Sequence, residues 1–228
     1  EHGEADVLPG RGMGAVHGVS LKYVFVAVVS GAAARNMVLQ ELAREEQGLD
    51  VPIAEDMGAA EVVVFLACCY TCLINSLFAL LFNLGFGMHV LGKDPKTGAV
   101  PLWSYVLFLA FHAPTWLYTK AQKLKDSYAR VPVASEVESG WWVGGRYASE
   151  LGKHWAGTLD MTCEFPEGCA ATTDKYLLLP CWDGNPPQPD ALESAALFGV
   201  QARSHGDVLV HCAHGRGRST TVMCACLV

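Results

Sequence analysis

A helical, membrane-spanning N-terminal half followed by an α/β domain, with a parallel-rich sheet flanked by helices, is the architecture this sequence predicts. Three observations predict it. Charge is absent from two long apolar runs in the first 119 positions. Beyond about residue 137 the apolar segments shorten and Gly and Pro punctuate them. Near the end a basic, glycine-spaced segment, HCAHGRGRST, separates a strand-like stretch from a helix-like one. The composition agrees, with a net charge of −7, 17% charged and 51% hydrophobic residues, against about 25% and 45–50% in typical soluble domains. That balance excludes a disordered chain and a basic nucleic-acid-binding one. The sequence starts at Glu1 and stops inside the apolar run Thr221–Val228, so it reads as a fragment open at both ends.

Two or three membrane spans are expected, over about 16–36, 62–86 and 99–119. From Val62 to Gly92 no Asp, Glu, Lys or Arg occurs, and about 20 apolar residues suffice to cross a bilayer. From Thr97 to Thr119 charge is again absent, and Trp103, Tyr105, Trp116 and Tyr118 stand near the two ends as an interfacial belt would. Val16–Ala34 is apolar apart from His17 and Lys22, and Lys22 is close enough to a helix end to snorkel. Buried helices of a large soluble core are the competing reading of all three. His112 and Pro114 inside the last span mark either a kink or a packed, satisfied pair. Lys120, Lys123, Lys125 and Arg130 follow that span directly and place the C-terminal half in the cytosol.

A polar linker over 120–136 leads to the second domain, 137–228. Strands are expected at Trp141–Val143, Gly157–Thr162, Lys175–Leu179 and Asp207–His211. Between the last two, Pro189, Asp190 as N-cap and Glu193 open a helix that closes near His205–Gly206, with Leu192, Ala195, Ala196 and Gly199 along one face. Strand, helix, strand, helix in that order is the pattern of a largely parallel sheet.

The loop after the last strand aims several backbone N–H groups at one point in front of a helix N-terminus, which is where an anion binds. Phosphate is the natural occupant. Cys212 opens the loop and Arg218 closes it with five residues between them. The guanidinium then offers a bidentate fork to phosphate oxygens, and the same field holds the thiol as thiolate. Gly215 and Gly217 let the backbone turn tightly, and Ser219 can stabilise the thiolate as a leaving group.

These residues resemble the signature of the cysteine-dependent tyrosine and dual-specificity phosphatases: His-Cys, five residues, Arg, then Ser or Thr, filled here by His211, Cys212, Arg218 and Ser219. LLLPCWDGNPPQP resembles that family's mobile acid loop, and TLDMTCEFP and WWVGGR resemble first strands of its compact dual-specificity-like branch. The resemblance spans about Trp141–Val228 and lacks the family's helices beyond the signature. It implies a dual-specificity-phosphatase-like domain, with His211, Cys212, Asp183, Arg218 and Ser219 as the catalytic set. Ala213, His214, Gly215, Arg216, Gly217 and Arg218 would hold the substrate phosphate. It also implies two steps, in which Cys212 attacks phosphorus while Asp183 protonates the leaving oxygen, and water then releases phosphate, with no metal or other cofactor.

Alternatives attach to several of these residues. His211, Cys212 and His214 lack the further Cys or His pair of a tetrahedral metal site, and a rhodanese-like Cys loop does not call for this Arg and acid loop. His214 and Arg216 either favour a highly charged substrate or are solvated loop residues. Asp160 reads as structural, while Asp183 in a Trp-Asp-Gly, proline-rich loop reads as catalytic. The nine cysteines suit a reducing compartment; Cys163 or Cys181 could protect Cys212 by a reversible disulfide or simply be buried. The expected function is a membrane-anchored phosphatase acting on phosphotyrosine, with phosphoserine and phosphothreonine as further candidates. A phospholipid or phosphoinositide substrate is the second reading, and a non-catalytic phosphate-binding membrane protein the third. No nucleic-acid partner is expected; the membrane used and the oligomeric state stay open.

Overall fold

The computed structural model describes residues 18–46 and 58–228. Val16 and His17, at the head of the first expected span, lie outside them. The first two helices, α1 (Gly18–Glu46) and α2 (Ala59–Leu84), run antiparallel. Ser20 donates to Asn83, Tyr23 packs on Phe82, and the Gly31 backbone faces Cys72 Sγ. α2 ends on Gly85, whose left-handed φ of 68° turns its N–H back to the Leu81 carbonyl. Among the described residues these two helices are long and apolar enough to cross a membrane, over Ser20–Arg44 and Ala59–Leu84.

The third expected span differs from its prediction. It is split into α3 (Leu102–Leu107) and α4 (Leu109–Tyr128), with Phe108 between them at φ −118° and ψ 33°. Phe108 is buried edge-on against Phe78, and that anchor draws the backbone out of the helix. The broken turn is repaired from α2, because the Tyr70 hydroxyl donates to the Leu107 carbonyl at 3.1 Å and accepts from Ala110 N–H at 3.4 Å. Pro114 frees the Ala110 carbonyl, which accepts from the Asn75 amide at 3.5 Å. His112 is buried and bonded to Ser104 at 3.1 Å, so the satisfied-pair reading of that histidine holds. α4 then continues through Lys120, Lys123 and Lys125, and the expected linker over 120–136 shrinks to the few residues before β1.

The C-terminal domain is a five-stranded sheet of β1 (Ala134–Glu138), β2 (Trp141–Gly145), β3 (Gly157–Asp160), β4 (Tyr176–Leu178) and β5 (Val208–Cys212). The order is β1-β2-β5-β3-β4, with β1 antiparallel to β2 and the other pairs parallel. β5 is central and buried along its whole length, as a strand covered on both faces must be. α5 (Pro189–Arg203) and α6 (Arg218–Leu227) cover one face, where Ala195, Ala202, Val222 and Met223 meet Leu159, Val208 and Val210. Pro189 occupies the first turn of α5 and Gln188 is its N-cap, two positions earlier than the Asp190 cap expected.

The two halves share a core. Phe78 and Phe111 stack at 3.9 Å, and Phe82 stacks on Trp182 of the C-terminal domain at 4.5 Å. Lys93, from the loop before α3, is buried and forms an ion pair with Asp160 at the end of β3. It also donates to the Thr162 carbonyl at 3.0 Å and hydroxyl at 2.9 Å. Lys93 is therefore a tie between the halves.

Candidate active site

β5 delivers Cys212 to the C-terminal edge of the sheet, and α6 begins at Arg218, so the intervening loop lies where the helix dipole favours an anion. Gly215 turns that loop at φ 74°, and a Cβ there would stand 2.6 Å from the Gly144 carbonyl carbon. The tight backbone is what closes the cradle. Gly215 N–H and the Ser219 hydroxyl both donate to Cys212 Sγ at 3.3 Å. Burial raises the Cys212 thiol, but the Arg218 charge, the Ser219 hydroxyl and loop N–H groups outweigh it and leave the thiol below its ordinary value.

Arg218 is buried and held from behind. Nη2 lies 2.8 Å from Glu164 Oε1, and Nη1 donates to the Cys181 carbonyl at 2.6 Å and the Met161 carbonyl at 3.2 Å. Burial alone would raise the Glu164 carboxyl, yet Arg218 holds it below the usual carboxylate range. Nε of Arg218 is buried without a hydrogen-bond partner among the described residues, a donor left over for a ligand in the cradle.

Asp183 Oδ1 stands 3.5 Å from Arg218 Nη2, with its side chain partly open to the cavity above the loop. The loop that carries Asp183 is docked. Trp182 is buried and donates from Nε1 to the Phe86 carbonyl at 2.7 Å; the Asn185 amide donates to the Phe82 carbonyl at 3.1 Å. The lid expected from sequence is thus fastened to the C-terminal end of α2.

His211 points away from the cradle. Its Nε2 lies 2.6 Å from Glu167 Oε2 and 3.8 Å from Asp160 Oδ1, all three buried. Burial disfavours the charged ring, but Asp160 and Glu167 prevail and raise His211 to about 9. Asp160, Glu167 and His211 are close enough to share a metal ion. Lys93 already supplies the cation to Asp160, and a protonated His211 has no lone pair to give. Asp160 is structural, as its sequence suggests.

The remaining loop residues divide. Ala213 accepts from Arg146 N–H through its carbonyl at 3.3 Å. His214 meets the Tyr118 ring edge-on at 5.7 Å, and burial lowers its ring below the ordinary value. Arg216 pairs with Asp126 of α4 at 2.5 Å and so does not offer its charge to the cradle. Gly217 precedes α6 as its N-cap residue. Cys163 and Cys181 are buried free thiols, both raised by burial, Cys181 to about 11.

A tight cavity of about 10 Å³ lies over Asp183, Glu164 and His214, room for about one water. Its other walls come from the helical half: Lys22 and Tyr23 of α1, Phe82 of α2, and Phe111, Thr115, Tyr118 and Thr119 of α4. A cleft of about 130 Å³ adjoins it across Thr119, Ala213 and His214. The structure places Ser219 against Cys212 and Asp183 against Arg218; Glu164, Glu167, Lys93 and Lys22 are not picked out by sequence reasoning. The signal for Glu164 is the demand that a buried arginine have a carboxylate, and TLDMTCEFP contains one. Lys22 carries no such signal, because its role depends on how α1 packs.

No protein-family model matches the sequence, and no curated protein matches it. One solved structure with which it aligns is a crystal structure of Tk-PTP carrying a Gly-to-Ala substitution. The identity is 23%, the TM-score 0.36, and the alignment covers 42% of this chain and 71% of that one.

Proposed function

We propose that this chain is a cysteine-dependent phosphomonoester phosphatase held at a membrane by its helices. The observation that supports it most is the pair of donors on one sulfur, Gly215 N–H and the Ser219 hydroxyl on Cys212 Sγ, beside an arginine pre-set by Glu164. A thiol already biased toward thiolate argues for chemistry over mere phosphate binding.

In this reading Cys212 Sγ attacks phosphorus in line, the P–O bond to the leaving group breaks, and Asp183 gives its proton to the departing oxygen. Arg218 and the loop N–H groups hold the equatorial oxygens in both steps. Water then attacks the phosphocysteine, Asp183 takes its proton, and the S–P bond breaks to return the thiolate, which Ser219 stabilises. No step calls for a metal.

Between the substrates the sequence allows, the walls of the cavity favour a phosphorylated amphiphile over a phosphoprotein. Lys22, Tyr23, Phe82, Phe111 and Tyr118 of the helical half wall the cavity beside Asp183, which supports a substrate presented from the membrane. The flanking helices also expose Leu21, Phe25, Val28, Leu73, Leu80 and Leu84 outward, the surface a bilayer covers.

Phosphate release by the full chain in liposomes, from phosphotyrosine and phosphothreonine peptides and from phosphoinositides and phosphatidylglycerophosphate, tests the reading, with Cys212→Ser as control. Lipid turnover abolished by that substitution is expected. Peptide-only turnover would restore the phosphoprotein reading, and no Cys212-dependent release from any substrate would leave a phosphate-binding protein.

A further inference from the structure

Lys22 is the first residue of interest outside the α/β domain. It lies within the first membrane-crossing helix, yet its side chain lines the same cavity as Asp183 and His214. Its ammonium sits 4.9 Å from the centre of the Tyr23 ring and 5.3 Å from that of Tyr118. Two aromatic faces hold the cation in place without neutralising it. Among the described residues no carboxylate lies within ion-pair distance of it, whereas Lys93, Lys123, Lys153, Arg216 and Arg218 are all paired with one.

The side of the cavity that Lys22 faces is informative. Asp183 is the group that meets the leaving oxygen, so what lies beside Asp183 faces the alcohol portion of the substrate and not the scissile phosphoryl group. A cation there has no work to do for a neutral alcohol. Charge for a second anion does not come from Arg216, which Asp126 occupies, and burial lowers the His214 ring below its ordinary value. Lys22 is left. Room for the rest of the head group adjoins the same point, in the cleft of about 130 Å³ beyond Thr119 and His214.

We propose that Lys22, backed by Tyr23 and Tyr118, is a specificity-determining residue that binds a second anionic group on the leaving-group side. The substrate class is then a membrane lipid whose head group carries a phosphomonoester and a phosphodiester. This rests on the phosphatase reading above and adds the head-group charge to it. It also gives the helical half a part in recognition beyond anchoring, since α1 brings the cation to a site built by residues far away in the sequence.

The test uses the full chain in neutral phosphatidylcholine vesicles doped with one substrate. Phosphatidylglycerophosphate and phosphatidylinositol 4-phosphate carry both groups; phosphatidic acid carries the monoester alone. The quantity read is the ratio of kcat/KM for each doubly anionic lipid to that for phosphatidic acid. Lys22→Met, which keeps the aliphatic stem over the two rings, should lower that ratio about tenfold, mainly through KM, for one close contact between opposite charges. Lys22→Arg should restore most of it. A ratio left unchanged by Lys22→Met, whether both activities persist or both fall together, overturns the proposal. Wild-type chain releasing no phosphate in a Cys212-dependent manner would instead overturn the phosphatase reading itself.

Discussion

The Arg218 guanidinium and the Glu164 carboxylate form a buried fork, Nη2 to Oε1 at 2.8 Å and Nη1 to Oε2 at 3.3 Å. The pair fixes the plane in which Arg218 meets an anion at the mouth of the cradle. Glu164→Gln leaves the arginine buried without its counter-charge, which costs about 3–5 kcal/mol when a buried pair is broken. The misplaced fork should also lower kcat/KM by on the order of a hundredfold, the scale of a lost transition-state donor. Thermal unfolding and steady-state kinetics on the same variant check both numbers.

Ser219 and Cys212 make the second prediction. The hydroxyl favours the thiolate, so Ser219→Ala should move the Cys212 titration upward, toward the ordinary thiol value. The midpoint of the pH profile for alkylation by iodoacetamide reads this directly. Turnover should fall roughly tenfold or more, the cost of one hydrogen bond to a charged group, with the loss in breakdown of the phosphocysteine.

His211 should make stability depend on pH. Its folded value of about 9 lies above the ordinary 6.5, so the stabilisation is fully present below pH 6.5 and is lost as pH rises through 9. Up to about 3 kcal/mol is at stake for a shift of this size. The melting temperature should decline across that window, and His211→Asn should flatten the decline.

Lys93 and Asp160 tie the helical half to the sheet. Lys93→Met strands a buried carboxylate beside His211, and a loss of about 3–5 kcal/mol is expected. Lys93→Met with Asp160→Asn should recover part of it, because the uncompensated charge is gone. Chemical denaturation of the three variants in detergent measures the coupling.

Trp182 fastens the acid loop to α2 through the Phe86 carbonyl and the Phe82 ring. Trp182→Ala should cost about 3–5 kcal/mol for the cavity left behind. Loss of the anchor should lower kcat more than it raises KM, since the proposed mechanism has Asp183 act on the leaving group. Hydrogen exchange at 181–185 should rise in the same variant.

Much of the C-terminal domain is legible in the sequence because its signals are local. DVLVH reads as a strand and HCAHGRGRST as a loop leading into a helix from their own residues, and both stand where expected. β1 is not legible: ASEVE is a polar edge strand with little apolar alternation, and only its pairing with β2 makes it one. The break at Phe108 escapes for a related reason. The apolar run is continuous, and what divides it is a ring buried against Phe78 in another helix. Glu164, Lys93 and Lys22 share that origin, each placed by packing between segments far apart in the chain. Arg216 shows the converse, a loop charge that looks available until Asp126 of α4 is found beside it.

The central claim is that Cys212 carries the phosphoryl group. Incubating the full chain with an aryl phosphate labelled at phosphorus, quenching in acid and mapping the label by peptide mass spectrometry tests it most directly. Label on Cys212, absent from Cys212→Ser, is the result predicted. Phosphate release without label on Cys212, or release that survives Cys212→Ser, would contradict it.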